Sequence, residues 1–329
     1  MRKNKPIYDN LNINIFTIGY TPEGESIVFI IWSGKDILYT GVIDSYERNN
    51  INQTKKLLDD LNISRIDMLC WSHPDYDHSV GLEKLFDYLD EKSVFVIPSN
   101  VVEYRDKIEH RYKAIWDFIS KEQLISSSQR KNGYKPIKCE IQYIADSTSV
   151  CNLPCTSFSK GASIYEFSLK SFLPKSRYTY RGEFNEKCME VNGFSVGVVL
   201  QLGEFCAVFA SDCHDNYIKK IDSIQFTEYC DFLKIPHHGS KTSTEIINCF
   251  NSAFEKEYKI NVSTVTTKKA SRLPASEAME KYKAVCENII YTDEMENGFE
   301  YGIGVVSVDV TDIENRYMYN FFGNAGLIK

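Results

Sequence analysis

Strand-like runs separated by helical segments in both halves of the chain predict an α/β fold with two sheets, each covered by helices on its outer side. Three observations carry that reading. Compact β-branched and aromatic runs recur along the chain, and segments with apolar residues at helical spacing follow several of them. The polar residues richest in chemistry also fall where such a strand run ends.

In chain order, residues 27–32 and 37–43 are short, β-branched and aromatic, as buried strands are. Residues 51–61 then repeat apolar side chains at helical spacing through Ile51, Leu57, Leu58 and Leu61. Residues 66–71 read as another buried strand and 80–89 as a helix. From about 91 to 190 the pattern is less regular: 101–124 has helical character, 126–135 is polar, and Cys151 and Cys155 sit in a loop. This stretch reads as an insertion embellishing a single domain of residues 1–329. Regularity returns with strands at 194–202, 205–210, 232–236 and 262–266, a helix at 275–286, and strand-like runs at 288–291 and 302–308.

Composition sets the outer bounds. The 329 residues hold 43% apolar and 25% charged side chains, which excludes a disordered or collagen-like chain. Lys and Arg number 38 against 45 Asp and Glu, a net charge of −7, so bulk electrostatic binding of nucleic acid is disfavoured while a local basic groove stays open. Apolar runs reach only six residues (27–32), against the roughly 20 that a membrane span requires. No membrane association is therefore expected. With no export signal read, ten cysteines are expected as free, mostly buried thiols of a cytoplasmic protein.

The informative segment is Trp71-Ser-His73-Pro-Asp75-Tyr-Asp77-His78. Two histidines and two aspartates fall within six residues, after a strand and before a helix. A helix cap needs one such residue, not four, whereas a divalent metal needs imidazole and carboxylate at this density. Asp212 ends the apolar run 205–210, where a carboxylate has no structural reason to be unless it is paired or metal-bound. His237 and His238 follow another strand, in Leu233-Lys-Ile-Pro-His-His-Gly-Ser240-Lys241-Thr-Ser243.

Taken together these motifs resemble the metallo-β-lactamase-fold hydrolases. His73, Asp75, Asp77 and His78 match the first histidine motif, with Asp75 where many members carry a histidine. Asp212 matches the bridging aspartate, and His237-His238 the last histidine motif. Asp44 matches an early aspartate that orients the site from behind the ligands. The His-x-Asp-x-Asp-His form, with Leu-Lys-x-Pro-His-His-Gly-Ser-Lys-x-Ser, looks most like the nuclease-type domain of bacterial DNA-uptake channel proteins. The resemblance runs from roughly residue 14 to 310, broken by the middle insertion. It implies a four-layer αββα sandwich and two divalent metal ions, zinc or manganese. One metal position would use Asp77, His78, Asp212 and His238, and the other His73 and Asp75 with Asp212 shared. Two departures stand out: Asn192 or Ser195 occupies the region of a usual third histidine, and Arg272-Leu273-Pro274 replaces a Gly-His-Pro.

The expected activity is hydrolysis by a metal-activated hydroxide, with Asp77 and Asp212 at its centre. His214 is a candidate general acid or extra ligand, with an inert loop histidine as the alternative. Thr242 and Glu245 fit a capping box. The helix start it would open, with Ser240, Lys241 and Ser243, is a candidate phosphate site that favours a phosphodiester, nucleic acid included. A basic, aromatic stretch (Lys170, Lys175, Arg177, Arg181 with Tyr178 and Tyr180) reads first as a solvated loop and alternatively as a backbone track. Hydrolysis of a small ester, lactone or thioester is the second reading, and a degenerate binding or sensing member the third. A partner protein is expected on the resemblance alone.

Overall fold

The computed structural model describes residues 11–19, 24–99, 101, 105, 112–130, 139–145, 156–160, 163–173, 191–219, 230–249, 261–264, 273–286, 288–292, 302–311, 317–323 and 325–328. Its architecture is mixed α/β and rests on two large sheets. The first runs in spatial order β17 (Tyr317–Gly323), β16 (Gly302–Asp309), β1 (Leu11–Gly19), β2 (Glu25–Ser33), β3 (Asp36–Ile43), β6 (Met68–Cys70), β7 (Val94–Pro98) and β8 (Glu140–Ile144). The second runs β18 (Gly326–Ile328), β15 (Asn288–Tyr291), β14 (Asn261–Thr264), β13 (Phe232–Lys234), β12 (Phe205–Phe209), β11 (Gly197–Leu202), β10 (Ser163–Leu173) and β9 (Thr156–Lys160). A small hairpin, β4 (Glu47–Arg48) with β5 (Ile51–Asn52), stands apart.

Side-chain parity explains how the sheets share a core. Successive strand residues point to opposite faces. Ile27, Phe29 and Ile31 of β2 join Phe205, Ala207 and Phe209 of β12 in one buried cluster, and the Phe29 and Phe209 rings stack at 5.4 Å. The intervening Val28 and Ile30 face the other way, against Leu58 of helix Gln53–Asp60, Leu82 and Leu85 of the 3₁₀ helix Leu82–Tyr88, and Trp116 of helix Lys113–Arg130. On the second sheet, Cys206, Val208 and Leu233 face Ile218, Ile246, Met279 and Tyr282.

Each half mixes antiparallel with parallel pairing, and the parallel neighbours decide where chemistry collects. β3, β6 and β7 run parallel, as do β12, β13 and β14. Their carboxyl ends lead into Asp44, Trp71, Ser211 and Ile235, so the motif residues leave both sheets at strand ends, where open α/β sheets place their ligands. Val196 N donates to Ser72 O at 2.9 Å, tying the two sheets together there.

Two local expectations change. The helix expected at 80–89 is a 3₁₀ helix over Leu82–Tyr88, set off from a short α-helix at Tyr76–Ser79 by Gly81, which turns into the left-handed region at φ 76°. A Cβ there would lie 2.3 Å from Glu47 Oε2 and 2.6 Å from Asn52 Nδ2, so the hairpin leaves room for glycine alone. The stretch 91–190 does more than embellish, since it supplies β7 and β8 to one sheet and β9 and β10 to the other. The Cys151–Cys155 loop, His110, Lys175, Arg177, Tyr178, Tyr180, Arg181 and Arg272 lie outside the described residues. The described cysteines are free, and those at 70, 139, 206, 213 and 230 are buried. Among the described residues no helix is long and apolar enough to cross a membrane.

Candidate metal centre

Four loops converge at the strand ends, and the backbone there is under strain. Asp44, Ser211, His237 and His238 all adopt φ between 43° and 59°. Non-glycine residues rarely hold that conformation, which costs of order 1–3 kcal/mol each, and it concentrates at functional sites. Here it aims Asp44, Ser211 and His238 into the interior and sets His237 at the rim. His237 N donates to Ser211 O at 2.9 Å and Asp44 N to Cys70 O at 2.8 Å, which locks the turns.

The innermost group is Asp212 with His73, His78 and His238, all at most 3% exposed. Asp212 Oδ1 lies 3.4 Å from His78 Nε2, and its Oδ2 lies 3.7 Å from His238 Nε2 and 4.0 Å from His73 Nε2. Asp77 Oδ2 lies 3.2 Å from His238 Nε2. Among the described residues, potential ligand atoms come within 4.8 Å of one another in three groups: His73/His78/Asp212, Asp77/His78/His238 and Glu25/Asp212/His238.

Proton accounting shows what such a centre lacks. Ser72 Oγ donates to Asp44 Oδ2 at 2.5 Å, and Ser211 Oγ donates to Ser72 Oγ at 2.7 Å. Both hydroxyl protons are then committed, so the 3.0 Å contact between Ser72 Oγ and His73 Nδ1 takes its proton from the imidazole. His73 is thereby left with a bare Nε2, buried and without a hydrogen-bond partner, facing an anionic carboxylate. Burial, reinforced by His78, lowers the His73 pKa to about 3, so a second proton is not available to mend this at neutral pH. His78 Nδ1 is likewise engaged by Asp44 Oδ2 at 2.7 Å, and His238 Nδ1 sits 3.0 Å from Glu25 Oε2. Each ring therefore turns Nε2 toward Asp212. Lone pairs of nitrogen and carboxylate converging in a buried site fit a divalent cation, and carboxylates or hydroxyls behind the imidazoles fix their tautomers.

The charges agree. Burial pushes the Asp212 carboxyl up, but His238 and His78 outweigh it and hold the group well below the usual carboxylate range. For His78, burial works downward and is overcome by Asp212, Asp77 and Asp44, so its pKa stands well above normal. For His238 the same competition, won by Asp212 and Glu25, pushes the pKa up to about 10. Without a cation, protons on these two rings therefore balance the carboxylates.

The remaining motif residues are placed as follows. Asp75 caps its own helix, accepting from Tyr76 N at 2.7 Å, and stands outside the three groups above. His237 lies at the rim: its Nε2 is 3.8 Å from Asp212 Oδ2 and 3.5 Å from Asn192 Nδ2, while its Nδ1 is buried without a hydrogen-bond partner. The His214 ring lies 4.7 Å from that of His237, tilted by 35°, with Nε2 3.4 Å from Thr242 Oγ1. Ser240 Oγ is 3.1 Å from Thr242 Oγ1. Ser243 is buried and donates to Ser240 O, and Lys241 pairs with Glu277 at 2.8 Å on the surface. The expected capping box does not form, because Asp215 Oδ1 takes the Glu245 N–H at 2.8 Å and the helix is only Ile246–Cys249. The backbone amides expected to cradle an anion there are thus partly spent.

Sequence reading missed Glu25, Ser72 and Ser211. Glu25 had a signal: it continues the inward parity of Ile27, Phe29 and Ile31, where a carboxylate is costly. The serines gave none, since their residue type is common at turns.

No family model matches the chain, and no curated protein matches it in sequence. Among solved structures, one similar to it is a protein of Parabacteroides distasonis provisionally named a metal-dependent hydrolase. The two are 10% identical over 80% of this chain and 89% of that one, with a TM-score of 0.37. So distant a likeness carries no weight for chemistry, which rests on the side chains described above.

Proposed function

We propose that this chain is a metal-dependent hydrolase of the metallo-β-lactamase fold, a four-layer αββα sandwich forming one domain, and that its substrate is a phosphodiester, nucleic acid included. The observation that carries the reading is the set of buried Nε2 atoms of His73 and His78 and the Asp212 carboxylate, which face one another with no hydrogen-bond partner on either nitrogen. Asp77, His78, Asp212 and His238 would hold one divalent cation. His73 with Asp212 and the rim residue His237 would form the start of a second position. Carboxylate-rich ligation suits manganese as well as zinc. A cation bound there lowers the pKa of a water toward about 7 and so supplies a nucleophile at neutral pH.

The protein's own groups do the rest. Asp44 would keep the ring proton on Nδ1 of His78, and Ser72 that of His73, while Glu25 Oε2 lies 3.0 Å from Nδ1 of His238. Glu25, Asp44 and Ser72, which stand behind the candidate ligands, are themselves buried. At the rim, His214, Thr242 and Ser240 form a row of imidazole and hydroxyl groups within 3.4 Å of one another in sequence. Such donors suit phosphoryl oxygens, and in this reading His214 would be the general acid on the leaving oxygen. A DNA-uptake-type nuclease, a cytoplasmic location and a partner protein belong to this reading as well.

The test is cleavage of single- and double-stranded DNA with added Mn²⁺, comparing wild type with Asp77→Ala. Cleavage lost in the variant supports the reading. Wild type that spares DNA yet hydrolyses an activated ester in an Asp77-dependent way would move the substrate to the small esters.

A further inference from the structure

Glu25 opens β2 and Lys234 closes β13, one on each sheet. Parity turns both into the space between the sheets: Glu25 follows Ile27 and Phe29, and Lys234 follows Phe232, all members of the shared core. Lys234 is wholly buried and Glu25 is 3% exposed. The Lys234 ammonium lies 2.8 Å from Glu25 Oε2 and donates to Ile235 O at 2.9 Å. The same Oε2 lies 3.0 Å from His238 Nδ1.

A buried ion pair is a poor way to gain stability. Desolvating each charge costs several kcal/mol, and apolar side chains of similar volume often serve as well or better. What apolar side chains could not supply is an anion at His238 Nδ1. Asp44 stands in the corresponding place for His78, hydrogen-bonded to its Nδ1 at 2.7 Å from the end of β3. The two imidazoles that contact Asp212 most closely are thus each backed by a buried carboxylate from the first sheet. Lys234 compensates the Glu25 charge and draws the carboxylate to one place, so the ring behind it keeps one orientation.

We propose that Glu25, held by Lys234, is the positioning residue of His238: it fixes the proton on Nδ1 and so presents Nε2 to Asp77 and Asp212. The inference rests on the metal-centre reading and adds to it a residue outside every histidine and aspartate motif of the sequence. Carboxylates behind a ligating imidazole typically strengthen metal affinity by about 10–100-fold.

Zn²⁺ affinity, measured by competition with a chromogenic chelator on the full chain, tests this without reference to any substrate. Glu25→Leu/Lys234→Met replaces the pair by apolar groups and is expected to bind Zn²⁺ about 10–100-fold more weakly while keeping the wild-type circular dichroism. Glu25→Gln/Lys234→Met restores an acceptor oxygen and is expected to recover most of that loss. Wild-type affinity in the leucine variant, or equal loss in both, overturns the positioning role alone. No Zn²⁺ binding by wild type overturns the metal reading with it. Should the leucine variant not fold, ¹H–¹⁵N spectra of zinc-loaded wild type decide instead: His238 must bind through Nε2 with a proton on Nδ1, and ligation through Nδ1 refutes the proposal.

Discussion

Asp44→Asn changes one atom of the site and probes the tautomer logic directly. The native carboxylate accepts from Ser72 N at 2.7 Å, from Ser72 Oγ at 2.5 Å and from His78 Nδ1 at 2.7 Å. Three donors meet two oxygens. An asparagine offers one oxygen and one NH₂, so one amide proton must face a donor. If the oxygen serves Ser72 N, the NH₂ faces both Ser72 Oγ and His78 Nδ1. The relief is for His78 to move its proton to Nε2, the atom 3.4 Å from Asp212 Oδ1, which removes it as a ligand. Loss of a partner behind a ligating imidazole costs about 10–100-fold in metal affinity, or roughly 1.4–2.8 kcal/mol at 1.4 kcal/mol per decade. Chelator-competition titration with Zn²⁺ and Mn²⁺ reads the affinity, and thermal melting in EDTA checks that the variant folds. A folded Asp44→Asn protein with wild-type affinity for both metals would refute the reasoning.

Other consequences are as concrete. Asp77→Ala should leave the circular dichroism spectrum unchanged and abolish hydrolysis; activity within a few-fold of wild type would remove Asp77 from the site. In the metal-free protein His78 and His238 have raised folded pKa values, His238 to about 10, so the stability they contribute is complete below the ordinary histidine pKa near 6.5. The melting temperature in EDTA should therefore fall as pH rises from about 6.5 to about 10, and saturating metal should flatten that slope; a flat profile without metal contradicts the charge balance drawn here. Phe29→Ala removes a fully buried ring stacked on Phe209 and should cost about 3–5 kcal/mol in denaturant unfolding. Gly41→Ala should also destabilise, by about 1–3 kcal/mol, since a Cβ there would meet the Phe29 ring at 2.0 Å.

Much of the candidate site was legible because its residues are dense and local. His73, Asp77 and His78 sit within six residues of one strand-to-helix connection, and Asp212 and His238 each follow a strand visible from its apolar run. What counting carboxylates could not show is which of them are spent on the backbone. Asp75 caps Tyr76–Ser79 and Asp215 takes the Glu245 amide, and nothing in the local sequence separates those uses from ligation. Lys241 looked free for an anion until Glu277, 36 residues later, met it across the surface. The strands that complete both sheets escaped notice for a related reason. β10 does alternate, with Phe167 and Leu169 buried between Glu166, Ser168 and Lys170, but its polar half masks the run. β9 (Thr-Ser-Phe-Ser-Lys) has almost no apolar content and is a strand because β10 pairs with it. Glu25 was readable by parity alone, and its partner Lys234 sits inside an apolar run that invites the reader to pass over it.

The central claim is that Asp212 organises a metal centre. Its most direct test is metal content after reconstitution with Zn²⁺ or Mn²⁺ and removal of free ion, measured by mass spectrometry on wild type and Asp212→Ala. Tightly held metal in wild type that is lost in a folded variant is the predicted result. Metal-free wild type, or equal retention by both proteins, would contradict the assignment.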